Sequence, residues 1–377
     1  MPPFPSSPPA DPPALPALGP PGVVLLLSEP AGASAEAHAG EEERIDAAVA
    51  ARAEARGALV RVRAGVHVER QAWEAVSARD RHLLRIRALA RMSRAPIILG
   101  GASAAAVHGL PRLAPWPALV TLLEVAGAPP GRRAGTRVLR DPARGRSALV
   151  RTADGVLLPG LAATALAASH EAAMDAVRAA WNHGPGWYAH GLVALDHVLA
   201  PARASPVTRA DLDAERALRG PGAWSRRAGI LVEAADGGAA CPVESVARGV
   251  AHEAGLAPPV VGAAADGQGR LALAWPRDRV GLRVRGAAGA AAAPRSGPSA
   301  GAASPGEVAH GSGRWRVVEV SERDVLAAGR LRTLLLAAGL EPERRAERRA
   351  TPSGSRVGAD PARGRSLRSP PLGCAGE

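Results

Sequence analysis

Residues 242–286 read PVESVARGVAHEAGLAPPVVGAAADGQGRLALAWPRDRVGLRVRG, and the fold class turns on this stretch. From Glu244 the apolar residues Val246, Val250 and Ala254 recur every four positions, the spacing of one helical face. Gly255 and the Pro258-Pro259 pair stop that helix. Val260-Val261 follows, then a turn cluster at Asp266-Gly267-Gln268-Gly269. Leu271, Leu273 and Trp275 alternate with smaller residues, Pro276-Arg277-Asp278 turns the chain, and Val280, Leu282 and Val284 alternate again. The pattern predicts a helix followed by a three-stranded meander, with an Asp-Gly hairpin at its first turn.

Downstream, residues 287–313 are Gly-, Ala-, Pro- and Ser-rich without periodicity, as in an unstructured loop. Trp315 to Val320 reads as a strand that rejoins the sheet, and Val325 to Leu340 as an amphipathic helix. Residues 341–377 read as a disordered basic tail, and residues 1–21 as a disordered Pro-rich segment.

Upstream, Gly22 to Glu29 suits a short helix or strand. Arg44 to Gly57 reads as a helix with Gly57 as its stop. The run LVRVRAGVHV at 59–68 then predicts a β-hairpin turning at Ala64-Gly65. A helix followed by a basic hairpin is the outline of a winged helix. Trp73 to Met92 reads as a second helix studded with arginines. Strands are expected at 118–125 and 136–140, and a hairpin over 149–158 around Asp154-Gly155. Helices follow at 161–169, 171–182, 191–199 and 208–219.

Two parts of this pattern resemble known families. The stretch 242–286 resembles the helix-plus-sheet core of restriction-endonuclease-like proteins, the group that includes very-short-patch-repair nucleases. Glu244-Ser245, Arg248, Gly255-Leu256, Pro259, Ala274-Trp275-Pro276 and Gly286 match the motifs of actinobacterial relatives. The acidic positions depart: Ala272 stands where the family has a metal-binding Asp, and Arg283 and Arg285 where it has the Glu and Asp of the next strand. Such nucleases hold a divalent cation with carboxylates on adjacent strands. Guanidinium groups at two of those positions, with Glu244 alone remaining, imply a retained fold and a vestigial site. The segments at 59–68 and 99–111 (LGGASAAAVHGLP) resemble the abortive-infection type IV antitoxins, the AbiEi family, in which the helix and wing are implicated in binding operator DNA. That resemblance makes Arg52, Arg56, Arg61 and Arg63 the candidate phosphate contacts. Solvation of one face explains the same residues without DNA. Ser103 and His108 match the second element, and His108 reads as a cap or packed residue.

Composition narrows the function classes. The chain has 377 residues, a net charge of +12 and 47 basic residues, all of them Arg. Without Lys there is no phosphate-binding P-loop. Two Cys exclude a disulfide framework and a Cys-based zinc site. His183, His190 and His197 recur every seven residues, but Gly184-Pro185-Gly186 breaks any helix that would align all three. Gly267, Gly269 and Ala272 imitate a dinucleotide loop, but no helix follows them. No run is long enough to span a bilayer, and a cytoplasmic protein is expected.

The expectation is a mixed α+β chain. Residues 22–70 are winged-helix-like, 71–220 form a mixed α/β middle, and 221–340 form a degenerate nuclease-like domain. The expected function is that of a non-enzymatic, DNA-binding, antitoxin-like transcriptional regulator with no cofactor and no metal. DNA is the expected partner, and the resemblance adds a cognate nucleotidyltransferase toxin. The alternative is an endonuclease-like protein with residual or lost metal-dependent DNA cleavage. A decaying paralogue without selected activity is a third reading.

Overall fold

β1 (Leu25–Glu29) resolves the first open choice in favour of a strand, because it lies parallel to β2 (Glu42–Asp46). In the computed structural model the described residues are 15, 18–29, 42–124, 130–133, 135–141, 143, 145–179, 184–201, 203, 207–265, 269–285 and 315–343. The chain falls into two units, Met1–Pro342 and Glu343–Glu377, and the elements below lie in the first. The segments 1–14 and 287–313 and the tail from 344 onward lie outside the described residues.

The helix expected from Arg44 begins later. Arg44 and Ile45 belong to β2, and Asp46 caps α1 (Ala47–Ala55), accepting from the amides of Ala48 and Val49 at 2.9 and 3.1 Å. A capping carboxylate satisfies amides that have no partner inside the helix. The expected basic hairpin forms from β3 (Leu59–Arg63) and β4 (Val66–Glu69), with Gly65 at φ 75° in its turn. These strands make one sheet in the order β2-β1-β4-β3. Ala50, Ala53 and Leu59 pack on one of its faces with Leu26 and Ile45.

The single helix expected over 73–92 is two, α2 (Arg70–Ala75) and α3 (Ala78–Met92). The chain is extended at Val76 and Ser77, and the Ser77 hydroxyl accepts from the Asp80 amide at 3.1 Å, starting a new helix. Leu84 and Ala88 of α3 cover the other face of the first sheet through Val23, Leu25, Val66 and Val68. α4 (Gly101–Val107) is buried throughout. β5 (Val120–Leu123), β6 (Gly131–Arg133) and β7 (Thr136–Leu139) form a second sheet in the order β5-β7-β6. β8 (Leu149–Arg151) and β9 (Leu157–Pro159) form the expected hairpin.

α5 (Leu161–Ala179) runs straight through the break expected at 170, where neither Gly nor Pro interrupts it. α7 (Arg209–Leu218) matches expectation, α6 (Trp187–Leu199) begins four residues earlier than expected, and α8 (Ala223–Ala234) is an additional helix. Leu166, Leu192, Leu195, Leu212 and Leu231 join these four helices in one apolar core.

α9 (Pro242–Glu253) is the helix read from Glu244. β10 (Val260–Val261), β13 (Leu273–Trp275), β14 (Val280–Val284) and β15 (Arg316–Val320) form its sheet in that order, with β14 and β15 parallel. β11 (Ala264–Ala265) and β12 (Gly269–Arg270) pair separately, and the Asp-Gly turn between them lies outside the described residues. Leu273 and Trp275 face α9 as expected, but Leu271 turns to the opposite face and packs with Ala265 and Ala274. The last expected helix is again two, α10 (Glu322–Leu326) and α11 (Ala328–Ala337), separated at Ala327.

α9 lies between this sheet and α6. Val246, Val250, Val280, Leu282, Val320 and Leu335 share a core with Ala189 and Val193 of α6. Gly249 permits the close crossing: a Cβ there would stand 2.3 Å from Cα of Ala189. Glu253 fixes the same junction, accepting at the start of α6 from the amides of Gly186, Tyr188 and Ala189 at 2.9, 3.1 and 3.2 Å. A carboxylate at a helix N-terminus satisfies free amides and is stabilised by the positive end of the helix dipole.

Candidate functional site

Two places carry the residues singled out by sequence: α9 with its sheet, and the N-terminal helix and hairpin.

In the first, every polar side chain of the E-S-x-x-R motif is engaged within the fold. Glu244 is only 3% exposed. Its Oε1 and Oε2 accept from Nη1 and Nη2 of Arg270, each at 2.8 Å, and Oε2 also accepts from the Ala240 amide. This is a bidentate carboxylate–guanidinium pair. Ser245 and Arg248 both reach Asp196 of α6. Nη2 of Arg248 lies 2.6 and 2.7 Å from the two carboxylate oxygens, while Nη1 donates to the Ala234 carbonyl. Burial pushes the Asp196 carboxyl upward, and the guanidinium beside it pulls the other way. A buried charge tolerates such a place only when paired and hydrogen-bonded.

The remaining ligand positions fare no better as metal donors. Ala272 is buried in the apolar core against α9. Arg283 of β14 and Arg285, just past its end, reach Glu319 of β15, with closest ion-pair distances of 3.1 and 3.5 Å. Hard divalent cations need converging oxygen ligands. Glu244 and Glu319 are each held by arginine. Among the described residues no group of three His, Cys, Asp or Glu side chains could hold a metal ion. His190 and His197 both lie on α6, and His183 lies outside the described residues. Trp275, matched to the Ala-Trp-Pro motif, donates its indole N–H to the Ala257 carbonyl at 2.7 Å, a packing role.

Neither Arg270 nor Glu319 was singled out by sequence. The signal for Arg270 is weak: it follows Gly269 in a turn cluster and looks like an ordinary solvated arginine. Only the fold brings it to Glu244, 26 residues away.

The second place is more open. Arg52 lies on α1 and Arg56 at its C-terminal cap, both exposed. Arg61 is exposed on β3 but is tied to Glu54 of α1, 3.2 Å away, whose carboxylate also meets Nε2 of His67 at 3.3 Å. Arg63 ends β3 and is half-buried. Among the described residues no carboxylate pairs with Arg52, Arg56 or Arg63. Other arginines of the expected second helix serve the fold instead. Arg79 donates twice to the Ala106 carbonyl, and Arg81 donates to the carbonyls of Trp73 and Glu74.

The matched Ser103 and His108 are packing residues. His82 and Ser103 are fully buried. The Ser103 hydroxyl donates to Nε2 of His82 at 2.9 Å and accepts from the Thr121 amide, while Nδ1–H of His82 donates to the Pro117 carbonyl. Burial holds the His82 pKa down at about 4, so the ring is neutral near pH 7. His108 donates from Nε2 to the Pro159 carbonyl at 2.8 Å.

No protein-family model, curated protein or solved structure matches the chain. No helix among the described residues is long and apolar enough to cross a membrane.

Proposed function

We propose that this chain is a non-enzymatic, DNA-binding regulator of the antitoxin type, related to the abortive-infection type IV antitoxins. On this reading its nuclease-like helix and sheet have become a structural unit, and the N-terminal helix and hairpin contact operator DNA like a winged helix. The observation that carries the DNA contact is the exposure of Arg52 and Arg56, with Arg63 at the hairpin end, without carboxylate partners among the described residues. Arginines so placed suit phosphate contacts, which position a protein on a duplex without reading its sequence. The pairing of Glu244 with Arg270 supports the non-enzymatic part, because it occupies the one matched acidic residue. A cognate nucleotidyltransferase toxin is the protein partner this reading adds.

The test is a binding comparison between the promoter fragment upstream of the gene and random duplex of equal length. Tighter binding to the promoter, with both duplexes intact after incubation with Mg²⁺ or Mn²⁺, is the expected result. Equal affinity for the two duplexes removes the regulatory role. Metal-dependent cleavage that is lost in Glu244→Ala replaces the reading with a nuclease.

A further inference from the structure

We infer that the duplex-binding surface continues from the β3–β4 hairpin onto the β6–β7 ribbon, where Arg132 and Arg137 hold the phosphate backbone. This inference rests on the DNA-binding reading above.

Arg132 and Arg137 stand directly opposite each other on neighbouring antiparallel strands. Like charges in that relation destabilise a sheet. Among the described residues no carboxylate offsets either of them. β6 is an edge strand of its sheet and is exposed along its whole length, so Arg132 reaches solvent. A paired arginine at an exposed edge costs stability unless an anion lies across it.

The ribbon also meets the first hairpin. Nη1 of Arg63 lies 3.1 Å from the place a Cβ would take on Gly135, the residue leading into β7. Arg61, Arg63, Arg132 and Arg137 therefore belong to two adjoining hairpins. From Gly135 along β7 to the Arg132–Arg137 pair is two residues, about 7 Å at the rise of an extended strand. Duplex DNA presents one phosphate charge per roughly 1.7 Å of axis, so a surface of this length faces several phosphates. A regularly charged polyanion matches such a row better than a single small anion does.

The experiment measures binding of the full chain to a labelled duplex as salt rises between about 50 and 200 mM. Removing two phosphate contacts with Arg132→Thr and Arg137→Thr should flatten the log–log slope by about two units and weaken binding ten- to a hundredfold at roughly 0.1 M salt. The same double variant should keep or raise the thermal midpoint, because a like-charge pair is gone. Arg132→Glu, which places an acid opposite Arg137, should raise the midpoint further and also weaken binding. Parental affinity and slope in the double variant, with binding weakened in Arg61→Ala/Arg63→Ala, would overturn this inference and leave the DNA-binding reading standing. Absence of duplex binding by the unmodified full chain would overturn both.

Discussion

Arg270 lays its guanidinium fork on the carboxylate of Glu244, Nη1 to Oε1 and Nη2 to Oε2, each at 2.8 Å. The carboxylate is buried, whereas the arginine side chain keeps 41% of its exposure. The acid that would anchor a catalytic cation is thus neutralised from within the fold. Removing the arginine leaves a buried carboxylate with only the Ala240 amide and whatever water enters from the open side. Arg270→Ala should lower unfolding stability by about 1–3 kcal/mol, below the full cost of orphaning a buried ion because that side is partly open. Urea denaturation should show a lower midpoint at unchanged slope. A midpoint equal to the parent's would mean that the pair contributes nothing.

Restoring the expected ligands should not restore a site. Ala272 is packed in the core under α9, so Ala272→Asp inserts an unpaired carboxylate among apolar side chains. A loss of about 3 kcal/mol or more is expected. The triple variant Ala272→Asp, Arg283→Glu, Arg285→Asp should still show no Mn²⁺ binding by calorimetry while Arg270 holds Glu244. A folded triple variant that binds Mn²⁺ would show that Arg270 does not close the site.

Acid should weaken the fold through His82. Its pKa is about 4 in the fold against 6.5 ordinarily, because burial disfavours the charged ring. On acidification the unfolded chain takes up this proton first. The contribution is therefore complete above about pH 6.5, declines between about 6.5 and 4, and levels off below, amounting to about 3 kcal/mol. His170, also held near 4, acts in the same direction. Unfolding midpoints measured across this range should fall with pH in the parent and fall less steeply in His82→Gln. Identical slopes in both would contradict the assignment.

Glu54 should restrain DNA binding. It sits 3.2 Å from Arg61 at an exposed position, where such pairs contribute about 0.2–1 kcal/mol. Glu54→Gln frees the guanidinium and removes a negative charge beside it. Duplex affinity should rise about two- to fivefold at low salt. Unchanged affinity would place Arg61 outside the interface.

Much of the strand structure is legible in the residues because its determinants are local. Val60, Val62, Val66 and Val68 around Gly65 specify the first hairpin, and Val280, Leu282 and Val284 specify β14 by alternation. Helix boundaries depended on competing signals. Ser77 with Asp80 three residues on is a start signal inside a run of good helix formers, and it divides α2 from α3. Leu271 follows the period-two pattern, yet it packs on the opposite face from Leu273. The residues show only that Ala272, Arg283 and Arg285 are not acidic. That Glu244, Ser245 and Arg248 serve Arg270 and Asp196 depends on contacts 26 and 52 residues apart, which no local pattern encodes.

The DNA-binding claim is tested most directly by a salt titration of duplex affinity for the parent and for the chain with Arg52, Arg56, Arg61 and Arg63 all changed to Ala. Each lost phosphate contact removes about 0.9 from the log–log slope. The slope should become shallower by about 3.6 units and binding to every duplex should weaken, with the fold intact by circular dichroism. Equal slopes for both proteins, with binding abolished instead by removal of residues 343–377, would contradict it.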